Sequence, residues 1–360
     1  MTVGALALLA ALALGVYSWS RRPIRIGLLV SPSTALGHEA TLAVRYYLDA
    51  HPQVGGRPVE LVVRTPSLNP DEQRAAFREL ERAGVSLIVG AAVSQAGVVQ
   101  AAESARSGLP TFSVSASTAA LSSKSDAFYR LVVDTTACGS AAAKFLSSRY
   151  RRVAILTGAS NRAYTEAFGA AIEDALAVER RRLSLGDEDA AIAALGEFQP
   201  DAVFAIVSPS DLLRVVGRVR ATTREVTIFS SDCGMIALPT YSGQNLEDLR
   251  FISQNGVPLP RYAEQLEGLT ERSDHKPAHT AAYCLSIMEL IYQGLREVGE
   301  GRAALKAWLD QPRTYDYAYG RVYIDGTGDA IRERWHLFRV HEGQLTLVES
   351  LPDERFPEGR

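Results

Sequence analysis

The sequence predicts an α/β protein with two Rossmann-like lobes, each a parallel sheet flanked by helices. At 360 residues the chain is longer than one ordinary domain. Apolar residues make up 47% of the chain and charged residues 22%, which predicts a full hydrophobic core. Short apolar strands then alternate with amphipathic helices in two separate rounds, and this alternation is typical of parallel, doubly wound sheets.

The first round covers the first third of the chain. Helical spacing of apolar residues and turn signals such as Asn69-Pro70, an N-cap followed by a first-turn proline, delimit its elements. The predicted strands are 24–30, 59–64, 87–90 and 111–114, and the predicted helices are 37–51, 69–83, 94–108 and 118–122.

The second round predicts strands at 153–156, 202–207 and 226–229, with helices at 164–176, 187–195 and 211–220. The last third departs from this alternation. It contains predicted helices at 281–298 and 303–311, followed by strands at 320–324, 335–339 and 345–348. This order indicates that the chain re-enters the first lobe before it finishes in the second.

The N-terminus is predicted to be a targeting segment. Residues 3–16 carry no charge, and fourteen apolar residues are short for a membrane span of about twenty. They fit the apolar region of a signal peptide, with Ser18 and Ser20 at the small-residue positions before a cleavage site at Arg21. Two alternatives stay open: an uncleaved membrane anchor over residues 3–19 and a buried apolar helix. Export to the periplasm or another extracytoplasmic space is therefore expected.

Composition argues against several classes of function. The net charge of −3 disfavours a nucleic-acid partner. No C-x-x-C pair occurs, which disfavours a zinc ribbon or a redox dithiol; one disulfide remains possible, with its pairing open, among Cys138, Cys233 and Cys284. His275 and His279 have helical zinc-ligand spacing, but Pro277 interrupts the helix. With no glycine-rich phosphate loop and no nucleophile motif, no enzyme, cofactor or metal is predicted.

Four collinear segments carry a resemblance to a known family. They are IRIGLL at 24–29, GGRPVEL at 55–61, VSLIVG at 85–90 and GRVYIDGTGD at 320–329. In this series the chain resembles the type I periplasmic solute-binding proteins, in the branch of the leucine/isoleucine/valine-binding protein. The resemblance covers residues 23–350.

The resemblance implies two lobes that are joined by a multi-strand hinge and close on a small ligand. It implies residues 23–134 plus 257–326 as the first lobe, 135–256 plus 327–350 as the second, and 351–360 as a C-terminal tail. The expected ligand is an amino acid or a related small polar solute, delivered to an ABC transporter permease. A membrane-tethered sensor with a signalling partner, or a scaffold that has lost its ligand, are the alternatives.

The resemblance also implies the binding residues. Ser94, Ser115 and Ser117 match positions that hold the ligand carboxylate with hydroxyls and backbone N–H groups at helix starts. Asp232 matches the acidic residue that receives the ligand ammonium. Each has a plainer interpretation, because a serine can merely cap its own helix and an aspartate can cap a turn.

Three further positions depart from the family. Leu36, Ser160 and Ser208 stand where relatives often place an aromatic residue against the ligand. At the second of these, Asn161 is an equal candidate and Tyr164 follows closely. The sequence therefore predicts fewer aromatic walls and a more hydrophilic ligand.

Overall fold

The computed structural model describes residues 22–223, 225–235, 246–273, 277 and 279–357. The predicted leader, residues 1–20, and His275 lie outside these ranges. No helix within them has both the length and the apolar character needed to cross a membrane.

The first sheet is built from the first round of the sequence. Its strands are β1 (Ile24–Leu29), β2 (Gln53–Val54), β3 (Arg57–Arg64), β4 (Leu87–Gly90), β5 (Thr111–Ser113) and β6 (Phe128–Arg130). They lie in the order β2-β3-β1-β4-β5-β6, and all pairs are parallel except the short hairpin of β2 with β3. Helices between them are α1 (Ala35–Ala50), α2 (Pro70–Arg82) and α3 (Ser94–Ser107), with a 3-10 turn at Ala119–Leu121.

The second round forms a second parallel sheet. Its strands are β7 (Arg152–Thr157), β8 (Glu179–Ser184), β9 (Ala202–Ile206), β10 (Thr227–Ser231) and β11 (Arg250–Ser253). The helices of this round are α4 (Thr135–Ser147), α5 (Arg162–Ala175), α6 (Glu188–Phe198), α7 (Pro209–Thr222) and the single turn α8 (Asp232–Met235).

The chain then returns to the first sheet. Three helices follow: α9 (Pro260–Glu271), α10 (His279–Val298) and α11 (Arg302–Leu309). They share one core with β1 and α1, since Leu285 and Met288 of α10 belong to the same buried cluster as Ile26 and Val44. A small antiparallel sheet follows, formed by β12 (Arg313–Tyr317), β13 (Gly320–Ile324) and β14 (Ala330–Arg332).

The last two strands complete the second sheet. β15 (Arg334–His341) pairs antiparallel with β11, and β16 (Gln344–Pro352) pairs antiparallel with β15. The full order is β16-β15-β11-β10-β9-β7-β8. These two sheets, flanked by helices, confirm the predicted fold class.

Three backbone crossings connect the two lobes: β6 to α4, β11 to α9, and β14 to β15. Gln254 in the second crossing accepts a hydrogen bond from the backbone N–H of Val133 in the first, at 2.7 Å. The turn before β14 needs Gly328, which has φ +85° and leaves no room for a Cβ, since one would lie 2.8 Å from the Phe128 carbonyl oxygen. The crossings are thus held side by side at the base of the cleft.

Several elements differ from the sequence expectations, among them β8 and β16. β8 lacks an apolar pattern and carries Arg180, Arg181 and Arg182, yet it forms the edge strand beside β7. An edge strand needs only one partner and can be solvated on the rest of its surface, so its side chains need not be apolar. β16 continues to Pro352, and the buried carboxylate of Asp353 accepts a hydrogen bond from Trp335, so ordered packing extends into the segment expected to be a tail.

Candidate functional site

A cavity of about 480 Å³, including its open mouth, lies where the carboxyl ends of the strands of both sheets face each other. Parallel sheets bind ligands at this edge. Its lining comes from both lobes and from the crossings: Leu36, Ala92, Val93, Ser94, Ser115, Ser117, Val132, Cys138, Asn161, Tyr164, Asp232, Cys233, Gln254, His279 and Tyr283.

On the first lobe, Ser94 joins the ends of β4 and β5. It is the first residue of α3, and its hydroxyl oxygen accepts hydrogen bonds from the backbone N–H groups of Ser117 and Thr118, both at 3.2 Å. The side chain therefore does not cap its own helix, contrary to the plainer interpretation. Because the oxygen already accepts two bonds, the hydroxyl proton is what this group can offer to an acceptor in the cavity.

Ser115 is fixed by the loop after β4. Its hydroxyl donates to the carbonyl oxygen of Ala92 at 2.6 Å, so its oxygen is left as an acceptor. Ala91 in the same loop has φ +54°, a conformation that L residues adopt only at an energetic cost. The Ala91 carbonyl accepts the Ala116 N–H at 3.1 Å, and this bond helps to hold the strained loop in place.

On the second lobe, Asp232 begins α8 directly after β10. One carboxylate oxygen accepts long hydrogen bonds from the side-chain amides of Gln254, at 3.3 Å, and Asn255, at 3.5 Å. Both amides belong to the second crossing, which therefore orients the carboxylate. Burial, and then the charge of Asp232, raise the pKa of the neighbouring Cys233 thiol to about 12. Among the described residues this carboxylate has two long hydrogen bonds from neutral donors, so it can still accept a cation from the cavity.

The aromatic lining comes from Tyr164, which the sequence showed close to Ser160, and from Tyr283 and His279, which were not expected in the site. Tyr164 in α5 donates a hydrogen bond to the Ser231 hydroxyl at 2.9 Å, and burial raises the pKa of its phenol well above the ordinary value. Tyr283 in α10 donates to the side-chain oxygen of Asn255 and packs against His279 with ring centres 5.8 Å apart. Burial lowers the pKa of His279, and the charge of Asp232 opposes this shift. The site is consequently a neutral aromatic box around one carboxylate.

The lobes also touch at the mouth of the cavity. The side-chain oxygen of Asn161 accepts a hydrogen bond from the backbone N–H of Gln95, in the first turn of α3, at 3.3 Å. Asn161 has φ +48°, which asparagine tolerates better than most residues. This arrangement is that of a closed cleft.

The structure brings most of the predicted site residues together. Ser94, Ser115, Ser117, Asp232 and Leu36 all line the cavity. Ser160 and Ser208 are not among the residues that line it; the neighbouring Asn161 takes the place of the first. The Ser208 hydroxyl instead donates to the Asp211 carboxylate at 2.5 Å, at the start of α7.

Sequence reasoning missed Gln254, His279, Tyr283 and Arg332. No local sequence pattern marks the first three as residues of the cavity. Arg332 had one: β14 reads Ala-Ile-Arg, so period-two alternation places it on the same side as the buried Ala330. Its guanidinium is 1% exposed and lies over the ring of Tyr317, 3.6 Å from the ring centre.

The three cysteines are free thiols in the structure. Cys138 and Cys233 line the cavity and Cys284 is buried in the core of the first lobe. Burial raises the pKa of Cys138 and Cys284 well above the ordinary value, so neither is a reactive thiolate near neutral pH. Within the described ranges no cluster of three or more His, Cys, Asp or Glu side chains is arranged to bind a metal ion.

Known proteins share this fold closely. A leucine-binding protein from Thermotoga maritima is 18% identical, with a TM-score of 0.82 over 92% of this chain and 100% of its own. An isoleucine complex of a branched-chain amino acid binding protein from Streptococcus pneumoniae is 16% identical, with a TM-score of 0.81 over 92% and 100%. A solute-binding protein from Rhodopseudomonas palustris in complex with 3,4-dihydroxybenzoic acid is 16% identical, with a TM-score of 0.79 over 92% and 97%.

No curated protein sequence is significantly similar to the chain. The family model described as periplasmic binding protein, in contrast, matches residues 23–344, nearly the whole described part. With two α/β lobes, three crossings and a cavity between the lobes, the chain belongs to the periplasmic binding protein family and has its type I fold.

Proposed function

We propose that the protein binds an amino acid or a related small polar solute in the interlobe cavity, for delivery to an ABC transporter. The observation that carries the proposal is the chemical asymmetry of the cavity. The hydroxyl groups of Ser94 and Ser117 lie on the first lobe, whereas the carboxylate of Asp232 lies on the second.

An amino acid complements this asymmetry. Its carboxylate would receive the Ser94 and Ser117 hydroxyl protons beside the positive end of α3. Its ammonium would donate to Asp232, in a charge-assisted hydrogen bond. A ligand that contacts both lobes stabilises the closed form relative to the open one, and this difference drives closure.

The ligands of similar proteins support a carboxylate group on the ligand more broadly than an ammonium group. Leucine and isoleucine are named for two of them and 3,4-dihydroxybenzoic acid for a third. A carboxylate is common to all three, and only the amino acids add an ammonium. Asp232 is therefore the residue that separates an amino-acid site from an aromatic-acid site.

The experiment is a thermal-shift screen of the protein against amino acids, their amides and benzoates, followed by calorimetric titration of the solutes that raise the melting temperature. Asp232→Asn retains a side-chain oxygen for Gln254 and Asn255 but removes the charge. A charge-assisted bond contributes about 1.5–3 kcal/mol, so Asp232→Asn should weaken amino-acid binding about ten- to a hundred-fold.

Asp211→Asn, on the surface of the same lobe, is the matched control and should leave affinity unchanged. Equal affinity of Asp232→Asn and wild type for an amino acid would contradict the proposed role of Asp232. A wild-type protein that binds no amino acid or acid would favour the scaffold alternative.

A further inference from the structure

The side chain of Arg332 is a second buried charge close to the cavity, although Arg332 is not itself one of the lining residues. It ends β14 in the third crossing and lies 5.5 Å from the ring centre of Tyr283, which lines the cavity. Its positive charge also acts on Cys138, another lining residue. The guanidinium is thus placed directly behind the cavity wall.

The bonding of this guanidinium is incomplete. All three of its nitrogens are buried, and none has a hydrogen-bond partner among the residues that the structure describes. Burial of a charge is unfavourable unless it is paired. Stacking on Tyr317, at 3.6 Å, offsets only part of that cost.

The polar groups near Arg332 form hydrogen bonds with other residues. The Tyr283 hydroxyl donates to Asn255, and the Tyr317 hydroxyl donates to the Gln254 carbonyl at 3.4 Å. Asp232 bonds to the Gln254 and Asn255 amides rather than to Arg332. The five N–H donors of a guanidinium match a planar carboxylate, and the described chain supplies none here.

We propose that Arg332 receives a second anionic group of the ligand, and that the cavity therefore selects acidic amino acids. The inference rests on the proposed function, because it takes the first carboxylate to be held at Ser94 and Ser117 and the ammonium at Asp232. Two anion-receiving groups and one cation-receiving group then match the three charges of glutamate or aspartate.

The experiment compares isosteric pairs of probes: L-glutamate with L-glutamine, and L-aspartate with L-asparagine. Affinities are measured by calorimetry for wild type, Arg332→Met and Arg321→Met. Arg321 is the matched control, since it is a half-exposed arginine of the same small sheet that pairs with Glu333. The wild type and Arg321→Met should bind the acid of each pair about ten- to a hundred-fold more tightly than the amide. Arg332→Met should bind both members about equally.

A second measurement follows the urea unfolding of the ligand-free proteins. Arg332→Met should be as stable as wild type or more stable, because it removes a buried charge without a partner. A clear loss of stability would show that Arg332 is a structural group, and would overturn the proposal. Equal wild-type affinity for acids and amides would overturn the role of Arg332 alone, whereas a wild type that binds no amino acid would overturn the proposed function with it.

Discussion

Two arginines of this molecule are equally buried, but one has hydrogen-bond partners and the other has none among the described residues. Arg130 and Arg332 are each 1% exposed, and each is the last residue of a three-residue strand. Arg130 forms an ion pair with Asp329 and donates to the Thr118 carbonyl at 3.1 Å and to the Ser122 hydroxyl at 2.7 Å. Arg332 has no hydrogen-bond partner among the described residues, and its guanidinium lies over the ring of Tyr317.

The comparison distinguishes an arginine that stabilises the fold from one that we propose binds the ligand. Arg130 lies inside the first lobe, where its partners come from the chain itself, and it secures the turn before β14 to β6. Arg332 lies between the lobes, only three residues beyond Asp329, where a partner must come from outside the described chain. Burial of an arginine therefore says little about its role until its hydrogen bonds are counted.

Breaking the Arg130 pair should give the largest effect. Asp329→Ala leaves Arg130 buried without its carboxylate and removes the acceptor for the Ser123 N–H, at 2.6 Å. We expect a loss of about 3–5 kcal/mol in the free energy of unfolding, measured by urea denaturation. The double variant Arg130→Met/Asp329→Ala should recover part of this loss, because it removes the unpaired charge. A loss below about 1 kcal/mol in the single variant would contradict the structural role.

Removal of the Ser94 hydroxyl should have an intermediate effect. Ser94→Ala leaves the Ser117 and Thr118 N–H groups without an acceptor, at a cost of about 1–3 kcal/mol. Both urea stability and the affinity for a carboxylate ligand should fall. Ser210→Ala, an exposed serine of α7, is the control. Unchanged stability of Ser94→Ala would mean that water replaces the hydroxyl, and that the Ser94 side chain does not hold the loops after β4 and β5 together.

Removal of the interlobe bond should have a smaller effect on affinity. Asn161→Ala deletes one neutral hydrogen bond of about 0.5–1.5 kcal/mol, and so should weaken the ligand by a few-fold. Small-angle scattering should show a larger radius of gyration for the ligand-free variant. The adjacent Ser160→Ala changes an exposed side chain that does not line the cavity, so it should leave both values unchanged. Equal effects of the two substitutions would contradict the prediction that Asn161, and not Ser160, forms the bond between the lobes.

The last effect concerns pH. Burial, and then the charges of Arg334 and Arg332, lower the pKa of His336 to about 4 from its ordinary value of 6.5. Above pH 6.5 the ring is neutral in both the folded and unfolded states. Between about pH 6.5 and 4 the unfolded chain takes up the proton first, so stability falls as the pH falls.

Urea midpoints at pH 7 and pH 5 measure this dependence. His336→Gln should reduce it, although His279, whose pKa burial also lowers, acts in the same direction. Nuclear magnetic resonance titration of His336 in Arg332→Met should show a higher pKa than in wild type. An unchanged pKa would place the two charges farther apart than the structure does.

Much of the fold could be predicted because its signals are local. Apolar runs such as residues 24–30 and 202–207 and the helical spacing in 281–298 need only neighbouring residues to be recognised. β8 and α4 were missed for the same reason: an edge strand rich in arginine and an alanine-rich helix have weak periodicity. Ser94 and Asp232 were identified through the resemblance to the family, and both lie after strands, at the edge where parallel sheets bind ligands.

The sequence by itself determined the two-lobed α/β fold and the strand ends that line the cleft, since strand, helix and turn preferences act over a few residues. Only the tertiary structure decided that Asn161 rather than Ser160 meets the first lobe, that Tyr283 and Gln254 complete the site, and that Arg130 is paired while Arg332 is not. These contacts join residues far apart in sequence, such as Arg130 and Asp329, and depend on how three crossings lie side by side. Burial and hydrogen-bond partners are properties of that arrangement, and no local pattern encodes them.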